Sequence, residues 1–273
     1  SWGFLYGVAI DELAEEESDT VATVEELIGR LAEAPVATAL RDVTLFPTGV
    51  PWSEAVKRLS RLPHPEVLAA IRLDGSGFTR WDEHDAGDFR GVWSRFPALR
   101  DLELFGTSMQ QGDLESLPLR RLSRLGGGIS ERDLKTLAKL DQLEALELGF
   151  GRGSEEETDR HLLALLPRLG DLRHLALRDL ELTERFCERL LELPMWKQLQ
   201  SVDLSDCWVD DESTARFLGE ERTAYRHLER LAGPFMLEAS DEPDFEPDED
   251  DERERIPVLD ALPNLVNSAW RAA

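Results

Sequence analysis

The chain of 273 residues is poor in several things, and each shortage removes a class of function. No apolar run approaches the ~18 residues that a membrane-spanning helix needs, so no transmembrane segment is expected. Cysteine occurs only at Cys187 and Cys207, without C-x-x-C spacing. That excludes a disulfide framework and a thiolate zinc site, and it predicts two buried thiols suited to a reducing cytoplasm. Histidines such as His64, His161 and His227 are scattered and suggest no metal site. G-x-S-x-G, H-E-x-x-H and a phosphate-loop G-K-[ST] are all missing, and the run Gly126-Gly127-Gly128 is not followed by one. No enzymatic activity and no cofactor are therefore expected. Positive charge is also scarce: Lys plus Arg is 31 against 56 Asp plus Glu, a net −25. Such a balance disfavours nucleic acid and anionic membranes and favours a basic protein partner.

What is present is a repeat. The stretch Leu199-Gln-Ser-Val202-Asp-Leu204-Ser-Asp-Cys207-Trp-Val209 fits L-x-x-L-x-L-x-x-N/C-x-L with two Val-for-Leu replacements. A strand sends alternate side chains to opposite faces, so Val202 and Leu204 point inward while Asp203 and Ser205 point outward. One such unit cannot cover its apolar face alone and must stack on others. The first position recurs at Leu40, Leu68, Leu99, Leu119, Leu143, Leu172, Leu199 and Leu228. The fourth reads Val43, Ile71, Leu102, Leu122, Leu146, Leu175, Val202 and Leu231. Every residue in both columns is apolar in a chain that is 41% hydrophobic, so the register is not accidental. Arg124 interrupts the sixth position and marks the repeat from Leu119 as broken.

From Leu40 to Leu231 this pattern resembles the leucine-rich repeat family. Its gaps of 27 to 29 residues resemble the ribonuclease-inhibitor-like branch, and its ends resemble bacterial members. The resemblance implies an α/β horseshoe, with parallel strands on the concave face and helices on the convex face. It also implies a non-enzymatic module that binds a protein. The ninth position departs from the family's usual Asn, holding Thr107, Leu180 and Cys207 among others, which predicts a less regular stack. Ser53, Ser130 with Asp133, Ser154 with Glu157, and Thr183 are the expected helix caps. A helix is expected near residues 89–93, and prolines such as Pro167 and Pro194 should end helices before the next strand.

Four segments follow. Residues 1–35 read as a strand–helix cap and 36–237 as about eight repeats. Residues 238–255 read as a disordered acidic loop, and 256–273, apolar again, as a C-terminal cap. Binding residues should lie at the outward strand positions and the loop rim. These are Phe46, Arg72, Asp74, Glu103, Phe105, Arg121, Glu147, Phe150, Arg178 and Asp203. Exposed aromatics and arginines are the usual anchors of an interface. The opposing expectation is that Arg72, Arg121 and Arg178 pair with acids of adjacent strands, such as Asp101 or Glu147. The charge admits a second function, an acidic inhibitor or immunity-type protein that neutralises a basic enzyme. A carboxylate-based hydrolase at Asp82-Glu83-His84-Asp85 and Asp88 is a third, although that cluster lacks the spacing of a calcium loop.

Overall fold

The structure is a computed structural model. It describes residues 7–10, 24–34, 38–45, 51–73, 85–126, 129–150, 155–209, 214, 218, 222–236 and 254–255. The chain forms two compact units, Ser1–Leu143 and Glu144–Ala273.

In the first unit five strands run parallel in sequence order: β1 (Gly7–Ile10), β2 (Asp42–Leu45), β3 (Ala70–Leu73), β4 (Asp101–Phe105) and β5 (Arg121–Leu125). Their register is the one the repeat predicts. Val43 pairs with Ile71, Ile71 with Leu102, and Leu102 with Leu122, all fully buried. Arg124 does not break the strand: it lies beside Leu104 in the regular β4–β5 ladder, almost wholly buried, with a guanidinium nitrogen 3.6 Å from Asp133. Burial pushes its pKa down, and the Asp133 charge opposes that in part.

The connections vary with the length available. Helix α1 (Val24–Glu33) precedes β2, and α2 (Trp52–Leu59) follows it with Trp52, Ala55, Val56 and Leu59 buried. The expected Ser53 cap is corrected: Pro51 stands at the cap position, and buried Ser53 instead donates its backbone N–H to Ala86. A helix near 89–93 is replaced by the 3-10 turn Trp93–Arg95, beside which Phe89 and Trp93 stack at 5.2 Å. Between β4 and β5, where the repeat is shortest, the turn Leu114–Ser116 suffices. Helix α3 (Glu131–Leu137) begins with the expected box. Asp133 donates its N–H to Ser130 Oγ at 3.2 Å, and Ser130 donates its N–H to Asp133 Oδ2 at 3.1 Å.

In the second unit β6 (Ala145–Gly149), β7 (His174–Glu181) and β8 (Ser201–Val209) are parallel. Leu146, Leu175 and Val202 stack in register, and Val202 pairs with Leu231 of β9 (Arg230–Ala232). Helix α4 (Glu155–Leu165) follows β6, and α5 (Glu184–Glu192) follows β7. Thr183 caps α5 by accepting the Phe186 N–H, as expected; Ser154 lies outside the described residues. Pro167 and Pro194 fall inside 3-10 turns, Leu166–Arg168 and Pro194–Gln198, which carry the chain to the next strand. The β7–β8 pairing shifts register on both sides of Arg178, and Asp179 has a left-handed backbone with φ 53°. The far half of β8 pairs with β10 (Phe235–Met236), which pairs antiparallel with β11 (Glu254–Arg255). The end of the acidic stretch, residues 254–255, is therefore strand. The rest of that stretch and residues 256–273 lie outside the described residues. Cys187 and Cys207 are buried thiols, as read from the sequence.

Candidate functional site

The outward strand positions give each unit a polar face. On the first, Arg72 reaches back along its strand to acids on both flanking strands. Its Nη1 donates to Asp42 at 2.7 and 2.8 Å, and its Nη2 donates to Asp101 at 3.1 Å. Asp42, Ala70 and Asp101 stand in one cross-strand row. The Arg72 side chain therefore lies over Ala70, whose single methyl leaves room for it. Burial pulls the Arg72 pKa down, but Asp42 and then Asp101 outweigh it and the net shift is upward.

The second unit repeats this grip. Glu147, Ala176 and Asp203 form a row, and Arg178 reaches back over Ala176. Its Nε donates to Glu147 at 2.9 Å. Nη1 and Nη2 donate to Asp203 at 2.9 and 3.1 Å, and Nη1 also to Ser205 at 3.0 Å. Asp206 adds a carboxylate oxygen 3.2 Å from Nη1. Burial again pulls the arginine's pKa down, and Asp203, Glu147 and Asp206 together push it further up. Both arginines thus fall to the pairing expectation, with Asp101 and Glu147 among the partners. The sequence reading had no signal for Ala70 and Ala176, the small residues that permit it.

The other expected binding residues divide. Glu103, Phe105 and Arg121 lie half-buried on neighbouring strands of the first unit. Phe105 is directly opposite Leu125, also half-buried, and the two make an apolar pair. Leu125 was missed because only aromatic and charged outward residues were weighed; its seventh-position slot, matching Phe105, was the available signal. In the second unit the expected display is corrected. Glu147, Arg178 and Asp203 are buried, and all three belong to the grip. Phe150 is corrected too: it is only 6% exposed, because an eighth position shares the inward face of Leu146 and Leu148. Phe46 and Asp74 lie outside the described residues.

The Asp82–Asp88 reading also loses its centre, since residues 82–84 lie outside the described residues. Asp85 accepts the Gly87 N–H at 2.9 Å, and Asp88 is held by Arg90, which lowers its pKa to about 2. Among the described residues no three His, Cys, Asp or Glu side chains gather as for a metal ion. Also among them, no helix is long and apolar enough to cross a membrane. Cys207 donates its thiol to the Leu177 carbonyl at 3.2 Å, and burial pushes its pKa well up, away from a reactive thiolate.

No protein-family model matches the sequence, and no curated protein matches it. Among solved structures, a protein from Bacteroides fragilis is similar with a TM-score of 0.59 at 17% identity, over 77% of this chain and 64% of that one. The chain thus spans less than two thirds of that protein's length. Internalin C2 from Listeria monocytogenes is similar with a TM-score of 0.47 at 16% identity, over 89% of both chains. TLR13, in its complex with ssRNA13, gives 0.45 at 16% identity over 84% of this chain and 34% of its own. With the strand register and helical crossovers described above, the fold is a leucine-rich repeat fold.

Proposed function

We propose that the chain is a protein-interaction module whose first unit engages a partner through its strand face. The observation that carries this reading is the Phe105–Leu125 pair, apolar and half-exposed among Glu103, Arg121 and the Asp42–Arg72–Asp101 grip. An aromatic anchor ringed by ordered polar groups is the usual anatomy of a binding hot spot. The grip fixes charged side chains in advance, so less side-chain freedom is lost on binding. At −25 the chain favours a basic protein over RNA or an anionic membrane.

The test begins with capture from a native extract by the wild-type chain, followed by purification of the captured protein and titration calorimetry. Phe105→Ala and Leu125→Ala should each weaken binding, Phe105→Ala by about thirtyfold, a cost of ~2 kcal/mol for a lost aromatic anchor. Lys135→Ala on α3 should leave it unchanged. Equal affinity for all the variants would reject this face.

The charge supports a second reading, an acidic inhibitor that neutralises a basic enzyme. It requires an association rate that falls steeply as salt rises, whereas binding dominated by Phe105 and Leu125 changes mainly in dissociation rate.

A further inference from the structure

Charge is spread unevenly along the chain. Residues 38–126, which carry β2 to β5, hold twelve Lys and Arg against twelve Asp and Glu. The net −25 therefore resides in the sequence on either side. Within this neutral span the backbone gathers arginines into one row, one residue ahead of the strands. Ala69 donates its N–H to the Arg41 carbonyl at 2.7 Å, Arg100 to Ala69 at 2.8 Å, and Arg120 to Arg100 at 2.8 Å. Arg41, Arg100 and Arg120 are exposed. The acids that directly follow two of them, Asp42 and Asp101, are turned to the Arg72 guanidinium instead. Arg41 donates one N–H to the uncharged Val67 carbonyl at 3.1 Å. Among the described residues neither Arg41 nor Arg100 has an ion pair. The Arg72 grip thus occupies the acids that would otherwise neutralise this edge.

We infer that the strand-entry edge of the first unit binds a short, extended acidic segment of a partner protein through Arg41, Arg100 and Arg120. Parallel strands lie ~4.8 Å apart, so Arg41 to Arg120, three steps along the row, spans ~14 Å. Three acidic residues at alternate positions of an extended peptide span about the same length. Arginine grips a carboxylate with two parallel N–H donors, which suits this pairing. Two residues before the row stand Ala39, Val67, Ala98 and Pro118, all half-buried and none aromatic. The edge therefore offers cations and shallow apolar contact but no stacking platform for bases. A long polyanion would also meet the acidic flanks of the chain, whereas a short segment, at a screening length of ~8 Å, would not. This surface is separate from the Phe105–Leu125 pair, and its preference for an acidic ligand is local.

The test is fluorescence anisotropy of a labelled Glu-Ala-Glu-Ala-Glu peptide titrated with the full chain at low ionic strength. The wild type should bind it saturably and should not bind Gln-Ala-Gln-Ala-Gln. The double variant Arg41→Ala, Arg100→Ala should bind about tenfold more weakly, with unchanged far-UV circular dichroism. Arg90→Ala removes one charge away from the row, from an arginine paired with Asp88, and should leave binding unchanged. Phe105→Ala should also leave it unchanged, which separates this inference from the partner face proposed above. If the double variant does not fold, Arg120→Ala decides, with a loss of about threefold expected. No binding by the wild type, or an equal loss in Arg90→Ala, would overturn the inference. So would competition by a single-stranded oligothymidylate at lower concentration than the unlabelled peptide, which would mark a nucleic-acid surface.

Discussion

Arg72 and Arg178 show how surroundings set the worth of one interaction. Both fork two acids across an alanine, yet one grip is about a third exposed and the other is largely buried. Removing Arg178 strands Glu147 and Asp203 as buried carboxylates without their guanidinium, a change that costs about 3–5 kcal/mol in comparable sites. Removing Arg72 leaves Asp42 and Asp101 to water and should cost under ~1 kcal/mol. Urea denaturation of Arg178→Ala and Arg72→Ala checks this, with a large fall in midpoint expected for the first and a small one for the second. Equal effects would contradict the contrast in burial. The pairing was legible in the sequence as alternating acids and arginines at outward strand positions. The different burial of the two grips was not, because outward strand positions holding the same residue types look alike in sequence.

At the scale of single elements, local signals were read well where the side chain itself makes the bond. Ser130 and Thr183 cap their helices through their own hydroxyls. Ser130→Ala should therefore cost about 1 kcal/mol, measurable by chemical denaturation, since it leaves the Asp133 N–H without its acceptor. No loss of stability would contradict the capping role. Ser53 misled because Pro51 starts that helix and the Ser53 backbone is committed to Ala86. The expected helix near 89–93 shrank to a 3-10 turn for a similar reason. Phe89 and Gln110 bond backbone to backbone, continuing the parallel pairing of adjacent loops past the strands. Tertiary hydrogen bonds decided both cases, and neither is visible in a window of neighbouring residues.

For the whole molecule, spacing carried most of the information. The columns Val43–Ile71–Leu102–Leu122 and Leu146–Leu175–Val202–Leu231 were legible because each strand exposes its apolar face to the same next neighbour, repeat after repeat. Arg124 looked like a break and is instead accommodated beside Asp133, because one ion pair can replace one apolar contact in an otherwise regular ladder. Binding residues were less legible, since outward position alone does not distinguish a half-exposed side chain such as Phe105 from a buried one such as Asp203. The register itself is tested most directly by Leu146→Asp, followed by amide hydrogen exchange. A carboxylate placed in the shared column has no partner there and must be hydrated by opening the stack. Loss of protection should spread from β6 to its stacked neighbours β7 and β8. A variant that keeps wild-type protection in all three strands would contradict the stacking on which the fold rests.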